Sequence, residues 1–163
     1  MWGSTKANTV NECTWANNPL NGGASKYDST YFNSVKNTVC PNGVLVKEYD
    51  AAAQIMGGDW RMPTKAEFDE LLSNTTNEWV TNFNGSRVNG RKFTGSNGNY
   101  IFIPAAGYCG DGSVSNVGGY GGVLSSSLYT SNPSYASDLN LSSGYCRVGS
   151  CMRCYGLSVR GVL

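Results

Sequence analysis

Between Val44 and Ala106 the apolar residues recur with regular spacing, and this stretch carries most of the regular structure that the pattern predicts. Tyr49, Ala52, Ala53 and Met56 fall at helical intervals, so a helix is expected over Asp50 to Met56, stopped by Gly57 and Gly58. A second helix should begin after Thr64. With Glu67 three residues on, Thr64 makes a capping box behind Pro63, and Phe68, Leu71 and Leu72 then share one face. The segment Glu78 to Phe83 carries Trp79. Beyond it, Arg91 to Thr94 and Tyr100 to Pro104 read as two strands of a hairpin turned at Ser96-Asn97-Gly98-Asn99. Phe68, Leu71, Trp60, Ile101 and Ile103 are expected to be buried, with the Thr64 helix packed on the sheet that holds Tyr100 to Pro104.

The flanks lack such periodicity. Residues 1–43 are rich in Asn, Ser, Thr and Gly with scattered aromatics (Trp2, Trp15, Tyr27, Tyr31, Phe32), which predicts irregular structure packed by its rings. From Gly107 to Gly156 the chain turns to Gly, Ser, Asn and Tyr with few large aliphatic side chains and turn signals at Asp111-Gly112 and Asn132-Pro133. Composition alone would permit disorder there. The alternation of Leu157, Val159, Val162 and Leu163 instead suggests a final strand that ties the segment back, so long ordered loops are expected across 107–156. The chain is thus expected to be one α+β domain over 1–163, two helices around small antiparallel sheets.

Composition narrows the chemistry. A length of 163 residues can bury a core without disulfide or metal. With 12 Lys plus Arg against 11 Asp plus Glu, the net charge of +1 supplies no field to attract phosphate backbones or anionic lipid. Nucleic acid and membrane insertion are therefore not expected, and no apolar stretch is long enough to cross a bilayer. Met1 to Val10 lacks the basic start and apolar run of a secretory signal. Histidine is absent, which removes Ser-His and Cys-His nucleophile pairs and His-based metal sites. The six cysteines, Cys13, Cys40, Cys109, Cys146, Cys151 and Cys154, are compatible with three bridges or with free thiols buried as small hydrophobes.

The run Gly57-Gly58-Asp59-Trp60-Arg61-Met62-Pro63-Thr64-Lys65-Ala66-Glu67-Phe68 resembles the W-R-[LM]-P-T-x-A-E-[WF] signature of C-type lectin-like folds of the formylglycine-generating-enzyme type. Pro104-Ala105-Ala106-Gly107-Tyr108, Leu124-Ser125-Ser126-Ser127 and Gly156-Leu157-Ser158-Val159-Arg160 resemble its later landmarks in order and spacing. Together they cover about two thirds of the chain. Within that fold the chain is most similar to the variable proteins of diversity-generating retroelements, as found in gut Bacteroides and their phages. The resemblance implies a fixed scaffold interrupted by diversified positions over Leu128 to Leu141 and Tyr145 to Cys151, displayed on a phage virion or bacterial cell surface. It implies binding to a protein or glycan on a target cell, with no cofactor.

Residue chemistry points the same way, since large stiff tyrosines interleaved with Ser, Gly and Asn are the composition of antibody paratopes. The expected ligand-binding residues are Tyr120, Gly122, Leu124, Tyr129, Ser134, Tyr135, Ser137, Asp138, Tyr145, Arg147, Gly149, Ser150, Cys151, Cys154 and Tyr155, most of them converging on one solvent-facing patch. Structural roles are expected for Trp60, for Arg61 as a donor to nearby carbonyls, and for Arg160 as partner of a buried carboxylate. Glu67, Asp69 and Glu70 complement a helix dipole and do not form an acid-base pair. Asp111-Gly112 opens like a calcium loop but lacks a closing Glu, so no metal is expected. The rival is catalytic. Cys146 and Cys151 have the C-x4-C spacing of the cysteine pair in formylglycine-generating enzymes, which perform a copper-dependent oxidation, whereas the shorter C-terminal segment departs from them. An undiversified wall or carbohydrate-binding domain is the other alternative.

Overall fold

The computed structural model describes all 163 residues. Three helices, α1 (Ser29–Val39), α2 (Ala51–Met56) and α3 (Lys65–Asn74), accompany three small antiparallel sheets, so the class is α+β. The first sheet has the order β1 (Thr75–Val80), β2 (Gly90–Gly95), β3 (Tyr100–Pro104). A short hairpin of β4 (Tyr108–Gly110) and β5 (Ser113–Ser115) follows. The third sheet places β7 (Tyr135–Ser142) between β6 (Tyr120–Leu128) and β8 (Cys146–Met152).

In the middle of the chain the two helices and the hairpin form as the periodicity predicts, and an additional strand, β1, pairs with β2. Asp50 caps α2 by accepting from the Ala53 N–H at 3.0 Å, and Gly57 closes it at a φ of 72°. Both Asp50 oxygens also accept from the Met62 N–H, at 3.0 and 2.8 Å, so one buried carboxylate ties α2 to the entry of α3. The capping box is formed, with the Thr64 side chain taking the Glu67 N–H and the Glu67 carboxylate taking the Thr64 N–H at 2.8 Å. The hairpin pairs Arg91 with Ile103 and Thr94 with Tyr100. Phe68 and Ile103 are buried as expected, whereas Leu71, Ile101 and Trp60, also expected to be buried, are only half-buried.

Expectations for the flanking segments are corrected. The N-terminal part is not wholly irregular, because Ser29–Val39 is an 11-residue helix. Asp28 caps it, accepting from Tyr31 N–H, and Phe32 and Val39 are buried. Burying those two contributes about 2 kcal/mol each, which offsets the fraction of a kcal/mol that each of its Ser, Thr and Asn residues costs relative to Ala. Residues 107–156 are not mainly loops but chiefly the β4–β5 hairpin and the third sheet. Their glycines sit where side chains would collide. A Cβ on Gly121 would lie 2.7 Å from the Pro104 carbonyl, and one on Gly122 would lie 2.3 Å from Leu157 Cδ2. Finally, 157–163 makes only isolated bridges, Val123 with Ser158 and Arg61 with Val162, and no full strand.

The third sheet is covered on both faces. Leu124, Leu128 and Ala136 pack against Trp2, Phe32 and Met62 in one cluster. Val123, Leu139 and Leu141 pack against Phe68, Phe93 and Ile103 in the other, so Phe68 of α3 bridges the first and third sheets. The N-terminal segment is threaded into the first cluster. Trp2 is fully buried, its indole N–H donating to Ser125 O at 3.1 Å. Arg153, also fully buried, stands among the rings of Phe32, Tyr27, Trp15 and Trp2 at 3.9, 5.4, 5.6 and 5.7 Å, and its Nε–H donates to Pro133 O at 2.7 Å. Arg61, expected to donate to nearby carbonyls, instead makes its short bonds, 2.7 and 2.6 Å, to the Glu67 carboxylate and reaches a carbonyl only at 3.5 Å, that of Met62. Arg160 is exposed and pairs with no carboxylate, contrary to expectation.

Candidate functional site

Side chains alternate across a strand, so residues of one parity on β7 meet the matching parity on its neighbours. The register sets Asp138 opposite both Leu124 and Gly149, and Asn140 opposite both Gly122 and Arg147. On this face a polar chain forms. The Tyr120 hydroxyl donates to Asn140 Oδ1, and Asn140 Nδ2 donates to Asp138 Oδ1 at 2.9 Å. Gly149 makes room for it, since a Cβ there would fall 2.1 Å from Asn140 Nδ2.

Asp138 is completely buried and its Oδ2 has no hydrogen-bond partner. Burial pushes its carboxyl up to about 7, the neighbouring Cys151 thiol and Asn140 amide offsetting only part of the effect. The Cys151 thiol is raised well above its ordinary value by burial and by Asp138, and the Tyr120 phenol is raised by the same two causes. At neutral pH both therefore keep their protons, which leaves the thiol a poor nucleophile and a poor metal ligand.

In front of this chain lies a cavity of about 270 Å³ at the β8 edge. Tyr120, Tyr135, Ser150, Cys151 and Tyr155 line it, and all five were expected in the site; Tyr108, Met152 and Leu157 complete the wall. Tyr108 of β4 stands edge-on to Tyr120 at 5.9 Å between centroids and stacks on Tyr155 at 5.5 Å with planes 21° apart. Such offset and edge-to-face packing fixes the rings in place. The arrangement offers aromatic faces and phenol hydroxyls with the small Ser150 and Cys151 between them, which suits a flat or hydroxyl-bearing group.

The other expected residues do not join one exposed patch. Gly122, Leu124, Ser137 and Asp138 are buried because they lie in a sheet covered on both faces, and Cys154 is buried in the turn after β8. Tyr129 is exposed in the β6–β7 turn and Tyr145 in the β7–β8 turn, at opposite ends of the eight-residue β7 and so roughly 25 Å apart. Arg147, exposed, places its guanidinium 5.0 Å from the Tyr145 ring centroid. Ser134, half-buried, bonds to Asn132 Oδ1 within the first turn. Tyr108 and Asn140 were missed. A strand reading of Tyr135 to Ser142 would have found Asn140, since period two puts it beside Asp138.

Cys146 and Cys151 lie five positions apart on β8, which sends them to opposite faces. Cys146 packs with the cluster around Leu141, Cys151 with the one around Ala136. The two thiols therefore do not form a pair. No helix is long and apolar enough to cross a membrane. No protein-family model, curated protein or solved structure matches the chain.

Proposed function

We propose that this chain is a ligand-binding module of the C-type lectin-like fold, formylglycine-generating-enzyme subtype, and that it recognises a protein or glycan through the tyrosine-lined cavity at the β8 edge. One observation carries the proposal: four tyrosines from four separate segments, Tyr108, Tyr120, Tyr135 and Tyr155, converge on that cavity. Tyrosine buries much contact area at little entropic cost and leaves a hydroxyl for hydrogen bonding. Ser150 and Cys151 on the edge strand supply the small positions between. Tyr129, Tyr145 and Arg147 lie outside this centre and serve as separate rim contacts. The chain acts as a variable protein displayed on a phage virion or bacterial surface and not as an enzyme: it has no histidine, its C-x4-C thiols face apart, and Cys151 stays protonated.

The test is a glycan array and a displayed-peptide library probed with the wild type and with Tyr135→Ala and Tyr155→Ala, after melting temperatures have been matched. Binders should lose affinity by about 2 kcal/mol or more with either variant. Binders indifferent to both would move the site elsewhere. Diversification is tested separately, in the neighbouring DNA: a reverse transcriptase gene and a near-copy of the final third of this gene are expected. Their absence would favour an undiversified wall domain.

A further inference from the structure

Two thiols that the tyrosine cavity does not use meet on the opposite side of Tyr108. Cys13 follows a 3₁₀ turn at Val10–Glu12, and Cys109 is the middle residue of β4. Their sulfurs bond to consecutive carbonyls of the same turn: Cys13 Sγ donates to Thr9 O and Cys109 Sγ to Val10 O, each at 3.5 Å. Gly156 lies beneath both. It exchanges two backbone hydrogen bonds of 2.8 Å with Cys109, and a Cβ on it would fall 2.7 Å from Cys13 Sγ and 3.2 Å from Cys109 Cβ. Only a residue without a side chain lets the two cysteines approach over it.

Burial, and then the neighbouring Cys109 thiol, push the Cys13 thiol up to about 12. Both residues line an open cleft of about 390 Å³, and Cys109 is half-exposed there, so a small reagent can reach it. The remaining cysteines are placed differently. Cys40 and Cys154 are buried, and Cys146 and Cys151 face apart.

We propose that Cys13 and Cys109 are a redox pair that closes to a disulfide on exposure to a low-molecular-weight disulfide, stapling the N-terminal turn to β4. The Cys109 thiolate attacks one sulfur of oxidised glutathione, breaking its S–S bond and releasing one glutathione. Cys13 then attacks the Cys109 sulfur, its proton passing to the departing glutathione sulfur, which forms the protein S–S bond and expels the second glutathione. Two electrons pass from the cysteines to the reagent, and the two thiol protons end on the released glutathiones. The closed loop spans on the order of 100 residues, the range in which a cross-link most restricts the unfolded chain. Oxidising surroundings outside a cell would keep it closed.

The experiment incubates the intact protein with oxidised glutathione, blocks free thiols, digests without reduction and maps the peptides by mass spectrometry. The expected product is the Cys13 peptide joined to the Cys109 peptide, with the other four cysteines blocked as thiols. The oxidised protein should melt roughly 5–10 °C above the reduced one, and Cys109→Ser should abolish both changes. The wild-type peptide map decides the pairing even if the variant is poorly folded. Cys109 left as a mixed disulfide, either cysteine joined to one of the other four, or a linked protein that melts no higher would each overturn the proposal.

Discussion

Replacing Asp138 by Asn isolates the energetic consequence of a carboxyl buried with one oxygen unpartnered. In the unfolded chain this group titrates near 3.8, and in the folded protein near 7. Between those values the folded state holds a proton that the unfolded state has released, so stability falls as pH rises across the window. The contribution is fully present below 3.8 and lost above 7. The difference corresponds to about 4 kcal/mol, an upper bound because water entry and local relaxation reduce it. The introduced amide would keep the bond from Asn140 but place an N–H where Oδ2 has no partner, costing about 1–2 kcal/mol at acid pH. Asp138→Asn should therefore be the less stable protein at pH 4.5 and the more stable one at pH 8. Urea unfolding monitored by tryptophan fluorescence at half-unit steps from pH 4.5 to 8 gives both curves. The lower limit excludes Glu67, which is held at about 2 and whose stabilisation fades only as pH falls from 4.5 through that value. The upper limit stays below the ordinary thiol range. Parallel curves for the two proteins would refute a buried, proton-holding Asp138.

At Arg153, the conservative change should be the costly one. Arg153→Lys puts a strongly hydrated ammonium among four rings and removes the Nε–H given to Pro133 O, for a loss of about 3 kcal/mol. Arg153→Met should stay within about 1.5 kcal/mol of wild type, because it removes a charge whose burial already lowers the guanidinium to about 10; urea unfolding that ranks Lys above Met would be the contrary result. Gly149→Ala should cost about 1–3 kcal/mol by driving its methyl into Asn140. A double-mutant cycle with Asn140→Ala should show the two changes to be strongly non-additive, whereas simple additivity would place the strain elsewhere. Arg61→Ala should cost about 1 kcal/mol and let the Glu67 carboxyl, held at about 2 first by its bond from Arg61, titrate closer to 4.5, as read by carboxyl carbon NMR.

Local rules were enough for three elements between Asp50 and Pro104, though not for β1, which is set by its pairing with β2. Capping at Asp50 and Thr64, the stop at Gly57 and the Asn-Gly turn are interactions between residues a few positions apart, so the sequence alone determined α2, α3 and the β2–β3 hairpin. The aromatic and polar composition of the C-terminal third also pointed to five of the residues that line the tyrosine cavity. What the sequence could not determine is the third sheet. Its Gly and Ser residues read as loop because their reason lies in distant partners: Pro104 and Leu157 against Gly121 and Gly122, Asn140 against Gly149. Once those partners pack, period two governs the chain, and a one-residue alternation decides everything about the site. Leu124, Ser137 and Asp138 go inward, Cys146 and Cys151 separate to opposite faces, and Tyr120 reaches Asn140. The meeting of Cys13 with Cys109 and of Arg153 with Trp2, Trp15, Tyr27 and Phe32 is likewise a property of the tertiary structure, since long-range burial, and no local preference, brings those residues into contact.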